Sequence, residues 1–392
     1  MKKLIIALSL LALMCGFIMP VNATEEPTGV TFIYINGSNN LTYKNREKFR
    51  IAFLEDVKKL HPHIKQRFEE NDMIKENFLS NGRYVINPEP VTFYWGDRSL
   101  EVVKKLDQDL ASASKYSPKI AHQARSLFAH CLHDAVWVQQ HQNMTKVIDD
   151  LHVVVNNEVA KGNKVVLLGY SAGSFVTYQY YLNKANSIPS ELIKGQYGAE
   201  IDEIIEKNPA QPTCFDALVE ADLVKFNPRT GKYDPNPDMD VFKKNYANLD
   251  KYTSQACFPG GTVKGVVGFA SPVRLFYSDF TKDDTSINNI SRLMAKSIIE
   301  NDVFYLTVNY SNDPFGFSNS ENFTLEQIQK DTGIILGRRA YRGFIYNKSN
   351  NYVPRTFITA HLAYWSTPKR FAKAIVKAFN EGYPNFYGIE TQ

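Results

Sequence analysis

The stretch NKVVLLGYSAGSFVTYQYYL, residues 163–182, sets Ser171 between Gly169 and Gly173. Gly169-Tyr170-Ser171-Ala172-Gly173 has the pattern of a nucleophile elbow. In such an elbow the turn from strand to helix is so tight that small residues must flank the serine, whose hydroxyl is left exposed above the sheet. The helix that begins there aims its amides and positive dipole end at a developing oxyanion. A serine hydroxyl is a weak nucleophile alone. It needs a base, an acid to orient that base, and donors for the oxyanion. Of the eight histidines only His361, in FITAHLAYW, lies beyond Ser171, which makes it the candidate base. The acid should follow a strand between the two. Asp313, in VFYLTVNYSNDPFGF, fits, and Pro314 biases it toward extended geometry. Asp279, in SPVRLFYSDF, is the runner-up acid, with Asp283 and Asp284 more distant.

The oxyanion needs two backbone donors. Ala172 N–H, just after the nucleophile, is one; the second is expected from the early loop INGSNN, at Gly37 or Ser38, with Asn36 shaping the turn.

These residues need elements to hold them. GVTFIYING reads as a strand that stops at Asn36-Gly37, and PVTFYWGD (90–97) as a second strand. Between them lies a mixed helical region to about residue 80, and residues 100–141 also read as helical. Met144, Val147, Ile148, Leu151, Val154, Val155 and Val159 recur at helical spacing, with Asn143 as a cap and Gly162 as a stop. KVVLL is the continuous apolar run of a strand buried on both faces of a parallel sheet. TVKGVVGFASP and DVFYLTVNYSNDP are further strand–loop units, separated by the amphipathic SINNISRLMAKSIIE. The helix PKRFAKAIVKAFNEG closes the pattern, with Pro368 at its start and Gly382 at its end. Strands alternating with helices predict an α/β fold with a mostly parallel central sheet flanked by helices. In such sheets function gathers in loops at the carboxyl ends of the strands.

The expected organisation is a signal peptide over 1–23, a core over 24–186 and 262–392, and an insertion over 187–261. The insertion is rich in proline and asparagine and is read as a cap or lid. Lys2 and Lys3 before an apolar run, with Val21-Asn22-Ala23 as a cleavage site, form a secretory pattern that predicts a secreted or periplasmic protein. A retained membrane anchor is the alternative, against which the run is short and ends at Pro20. Formal net charge is +4, of which Lys2 and Lys3 supply two, and no long basic run gives a case for nucleic acid. Export permits a disulfide, and Cys214 with Cys257 is the preferred pair because both lie in the insertion. Cys131 reads as a buried thiol. His130, His133 and His141 read as a helix face rather than a metal site, GRRAYRG (337–343) as a solvated face, and Tyr178, Tyr180 and Tyr181 as core.

INGSNN, GYSAGS, SNDP and TAHLAYW stand in the order of the α/β-hydrolase superfamily, which the chain resembles over roughly 30–382. GFASPV is loosely similar to lipases of that superfamily. The early loop carries Asn-Gly where many members carry His-Gly, and the insertion precedes the GVVGFASP strand where lids commonly follow it. The resemblance implies Ser171 as nucleophile, Asp313 as acid and His361 as base, with no metal or organic cofactor. The expected activity is a serine esterase or lipase acting on a small-molecule or lipid ester, so a lipid or membrane surface is an allowed contact. The rivals are a catalytically silent hydrolase-fold binding protein, and a peptidase or thioesterase with the same machinery.

Overall fold

The computed structural model describes residues 28–38, 46–113, 133–185, 197–207, 213–229, 232–273, 303–316 and 357–382, with isolated positions between them. Several expectations lie outside the described residues: the signal peptide, His130, Cys131, Asp279, Asp283, Asp284, the SINNISRLMAKSIIE helix and the basic run 337–343.

Among the described residues six strands form one sheet, in the order β2 (Tyr84–Ile86), β1 (Thr28–Ile35), β4 (Lys164–Tyr170), β7 (Val263–Phe269), β8 (Phe304–Val308), with β3 (Val91–Phe93) also on β1. Every pairing in it is parallel. β2 and β3 share one edge of β1 in tandem, the first beside Thr28–Val30 and the second beside Ile33–Ile35. The strand expected over 90–97 is therefore shorter, and its other half lies upstream. Pro88 and Pro90 supply no amide for the ladder and split it in two. Trp95 already turns into a 3₁₀ segment over Gly96–Ser99.

Both faces of the sheet are covered, which is why the strands read as apolar runs rather than alternations. Val30, Phe32, Tyr34, Val166, Leu168, Tyr170, Phe269 and Val308 pack toward α1 (Arg46–Glu69), α2 (Asp72–Asn77) and the carboxyl-terminal helix over Pro368–Gly382. Ile33, Ile35, Val165, Leu167 and Val266 pack toward α4 (His133–Gln139), α5 (His141–Ala160) and α6 (Ala172–Lys184), while α3 (Leu100–Ala113) precedes these in the chain. The α5 stripe lies where helical spacing puts it: Met144, Val147, Ile148, Leu151 and Val155 are buried. Its cap position falls at Gln140, three residues earlier than Asn143. Tyr178, Tyr180 and Tyr181 are core residues.

The segment 187–261 carries α7 (Ala199–Lys207), α8 (Phe215–Glu220), a β5 (Val224–Asn227)–β6 (Lys232–Pro235) antiparallel pair, α9 (Met239–Tyr246) and α10 (Leu249–Ala256). It has its own apolar cluster, including Ile201, Leu218, Phe242 and Leu249. A Cys214–Cys257 disulfide with Cα atoms 5.6 Å apart staples α8 to the end of α10. Its described contacts with the core run along the outer flank of α5 and α6. Lys184, with its side chain 4% exposed, meets Asp216 at 2.7 Å. Phe258 N–H donates to Lys184 O and its ring lies against Tyr180 and Tyr181. Phe226 stacks on His141 at 3.8 Å. Lys184 closes a 13-residue helix, so this anchor sits about 20 Å along α6 from Ser171.

Candidate active site

Ser171 stands at the carboxyl end of β4, with φ 51° and ψ −126°, a backbone conformation that side chains other than glycine rarely adopt. Such a residue costs of order 1–3 kcal/mol and persists only where its surroundings impose it. Here Ser171 N–H donates to Phe269 O (2.9 Å), and Ser171 O accepts from Ser174 N–H (2.9 Å), with Ser174 Oγ 2.7 Å away. The flanking glycines are sterically required. A Cβ on Gly173 would lie 2.3 Å from Asn36 O and 2.6 Å from Ile35 O, and one on Gly169 would lie 2.5 Å from Gly173 O. The first turn of α6 thus packs directly against the end of β1.

Three side chains far apart in sequence converge at this end of the sheet. His361 Nε2 lies 3.0 Å from Ser171 Oγ. His361 Nδ1 lies 2.9 Å from Asp313 Oδ1 and 3.1 Å from Oδ2. An ionised carboxylate only accepts, so Nδ1 carries the proton and Nε2 is left to accept from the serine hydroxyl. Asp313 follows β8 in a turn closed by Asp313 N–H to Tyr310 O (3.0 Å), and Phe315 N–H donates to Asp313 Oδ1 (2.9 Å). The Asp313 side chain is fully buried, while the imidazole keeps 13% of its surface. His361 ends the short helix α11 (Phe357–His361), followed by α12 (Ala363–Ser366) and α13 (Pro368–Gly382).

The imidazole is held on several sides. Tyr170 packs beside it at 5.2 Å and donates its hydroxyl to His361 O (2.8 Å), while Phe315 meets the ring edge-on at 4.9 Å. Burial, and then the Asp313 charge, push the Tyr170 phenol well above its ordinary range, so it stays a neutral donor. Tyr364 O–H donates to Asp313 Oδ2 (3.0 Å).

The expected oxyanion donors sit beside the serine. Ala172 is the first residue of α6. Gly37 is buried, and a Cβ there would come within 2.8 Å of Ser171 Cβ; Ser38 follows half-buried. Asn36, itself fully buried, fixes this loop. Its N–H donates to Phe93 O (3.2 Å), its Oδ1 accepts from Trp95 N–H (2.9 Å), its backbone oxygen accepts from Trp95 Nε1–H (2.6 Å), and its Nδ2 donates to Gly37 O (2.6 Å). Trp95 in turn stacks parallel to Trp137 of α4. Behind the elbow, Ser174 Oγ lies 2.8 Å from Ser271 Oγ, and Ser271 N–H donates to Asn309 Oδ1 (2.8 Å), tying the ends of β7 and β8 to α6.

His361 is thus brought within hydrogen-bonding reach of both Ser171 and Asp313, with Ala172, Gly37 and Ser38 adjacent to the serine. The chain's pattern did not single out Tyr364, the Tyr170 hydroxyl, Phe315 or the Asn36–Trp95 clasp. Only Tyr364 left a usable signal, since a residue three beyond His361 shares its face of a helical turn. A comparison of the chain with protein families, with curated proteins and with solved structures found no match to any of them.

Proposed function

We propose that the protein is an exported serine hydrolase of the α/β-hydrolase type, cleaving carboxylic esters, including lipid esters, through an acyl-enzyme. Ser171 Oγ attacks the ester carbonyl carbon while His361 Nε2 takes the hydroxyl proton, and Asp313 stabilises the resulting imidazolium. The oxyanion of the tetrahedral intermediate is held by the amide of Ala172 and by that of Gly37 or Ser38. Collapse of the intermediate breaks the bond to the leaving oxygen, which receives the proton from His361. Water, activated by the same imidazole, then attacks the acyl carbon and releases the carboxylic acid and free Ser171.

The observation that carries this reading is the unbroken chain from Ser171 Oγ through His361 to the buried Asp313, with contacts of 3.0 and 2.9 Å. The strained Ser171 backbone supports it, since strain of this kind clusters at reacting centres. The Cys214–Cys257 disulfide suits the oxidising side of an export route. The segment 187–261 is anchored on the helical flank, and a lid role for it is no part of the proposal.

The test is labelling of the full chain by a fluorophosphonate probe together with turnover of short p-nitrophenyl esters. Wild type should label and turn over, and Ser171→Ala should do neither. Equal labelling of both proteins removes Ser171 as the nucleophile. Labelling without ester turnover points to an amide or thioester substrate, and the absence of both favours a binding protein.

A further inference from the structure

The Asp313 carboxylate has more partners than an orienting acid needs. Besides His361 Nδ1, Oδ1 accepts from Phe315 N–H at 2.9 Å and Oδ2 accepts from Tyr364 O–H at 3.0 Å. The direction of the second bond is set by the other contact of the same phenol. Tyr364 Oη accepts the Tyr310 amide at 2.7 Å, and that amide can only donate. The phenolic proton is therefore left for the carboxylate.

The ring cannot turn away. Tyr364 is fully buried, stacks on Tyr310 at 4.3 Å, and meets Phe371 of α13 at 5.3 Å and 89°. One phenol thereby joins β8, the loop that carries the acid, and the helical turn that carries the base. We propose that Tyr364 is a positioning residue for this site, whose hydroxyl fixes the Asp313 carboxylate and weakens it as an acceptor toward His361. The proposal deepens the hydrolase reading and rests on it for its kinetic consequence.

The physical reason is competition for one anion. A hydrogen bond to a charged group is stronger than a neutral one and draws density from the oxygen that accepts it. A carboxylate relieved of such a donor accepts more strongly from imidazole and holds imidazolium more tightly. Among the described residues, Tyr170 from β4 packs beside His361, Tyr310 after β8 stacks on Tyr364, and Asp56 from α1 acts on Tyr170. The Tyr170 and Tyr364 phenols are pushed well above their ordinary range, first by burial and then by the Asp313 charge, so both remain donors through the working pH range.

The experiment is Tyr364→Phe in the full chain, read in two ways. The low-field proton resonance of His361 Nδ1–H, assigned by its loss in His361→Gln, should move further downfield. The acid-limb midpoint of kcat/KM for p-nitrophenyl acetate should rise by about half a pH unit to one unit. A residue that merely fills space would move neither. An unmoved or upfield resonance overturns the proposal, as does an unmoved or lowered midpoint. Should Tyr364→Phe fail to fold, fluorotyrosine placed at position 364 keeps ring and hydroxyl and makes a stronger donor. It should shift both readings the opposite way, and no shift overturns the proposal. The resonance needs no turnover, so a wild-type protein that neither labels nor turns over esters would sink the hydrolase reading while the Tyr364–Asp313–His361 link was still decided.

Discussion

Gly173→Ala is the sharpest perturbation of the elbow, because it adds one methyl group at the closest backbone approach near the site. The added Cβ would start 2.3 Å from Asn36 O, 2.6 Å from Ile35 O and 2.9 Å from Asn36 C, where real Cβ contacts essentially never fall below 3.0 Å. All three are backbone atoms, so no side chain can swing aside. The first turn of α6 and the end of β1 must therefore part by about 0.7 Å at the least. Overpacking of this kind costs about 1–3 kcal/mol, a fall of about 1–4 °C in melting temperature for a chain of this length. The displacement falls between Ser171 and the Asn36–Gly37 loop; on the proposed hydrolase reading, a misplacement approaching 1 Å there costs about 100-fold in rate. The assay is kcat for p-nitrophenyl acetate beside thermal unfolding. Gly268→Ala in β7 is the control, since its added Cβ meets Ser174 Cβ at 3.3 Å and Ser271 Oγ at 3.5 Å. It should stay within a few-fold of wild-type kcat. Wild-type kcat in Gly173→Ala, or an equal loss in both variants, would show that this contact does not set the geometry of the site.

Two further outcomes concern stability. Burial and then the neighbouring Lys184 ammonium push His152 down to about 4, so it stays neutral in the fold while the unfolded chain takes up a proton below its ordinary value. Stability is thus fully present above about pH 6.5 and lost as pH falls toward 4. By linkage the loss is about 3 kcal/mol, nearer 2 after solvent screening of a partly exposed ring. His61, His133 and His141 are lowered by burial and act in the same sense. Urea unfolding at pH 7 and pH 4.5 should show the drop, and His152→Gln should shrink it. Lys184→Met leaves Asp216 without its 2.7 Å partner at a buried junction and should cost about 3 kcal/mol by thermal unfolding. The same variant should narrow the acid-sensitive range, because the cation that opposes His152 protonation is gone; a range as wide as wild type would count against that coupling.

Local periodicity and steric demand are legible in the chain before any fold is known. Apolar runs such as KVVLL announced strands covered on both faces, the α5 stripe announced its buried side, and Gly169 and Gly173 announced a turn with no room for a Cβ. Ser171, Asp313 and His361 were legible as candidates because chain order and a single downstream histidine left few choices. Their convergence belongs to the folded molecule, since β4 and β8, on either side of β7, put Ser171 and Asp313 at one end of the sheet, and α11 brings His361, 190 residues from Ser171, to the same end. The same holds for the Asn36–Trp95 clasp, the Tyr364 phenol between Asp313 and the Tyr310 amide, and the flank contact of the 187–261 segment. Each depends on which side chains a particular packing sets face to face, and neither propensity nor spacing carries that information.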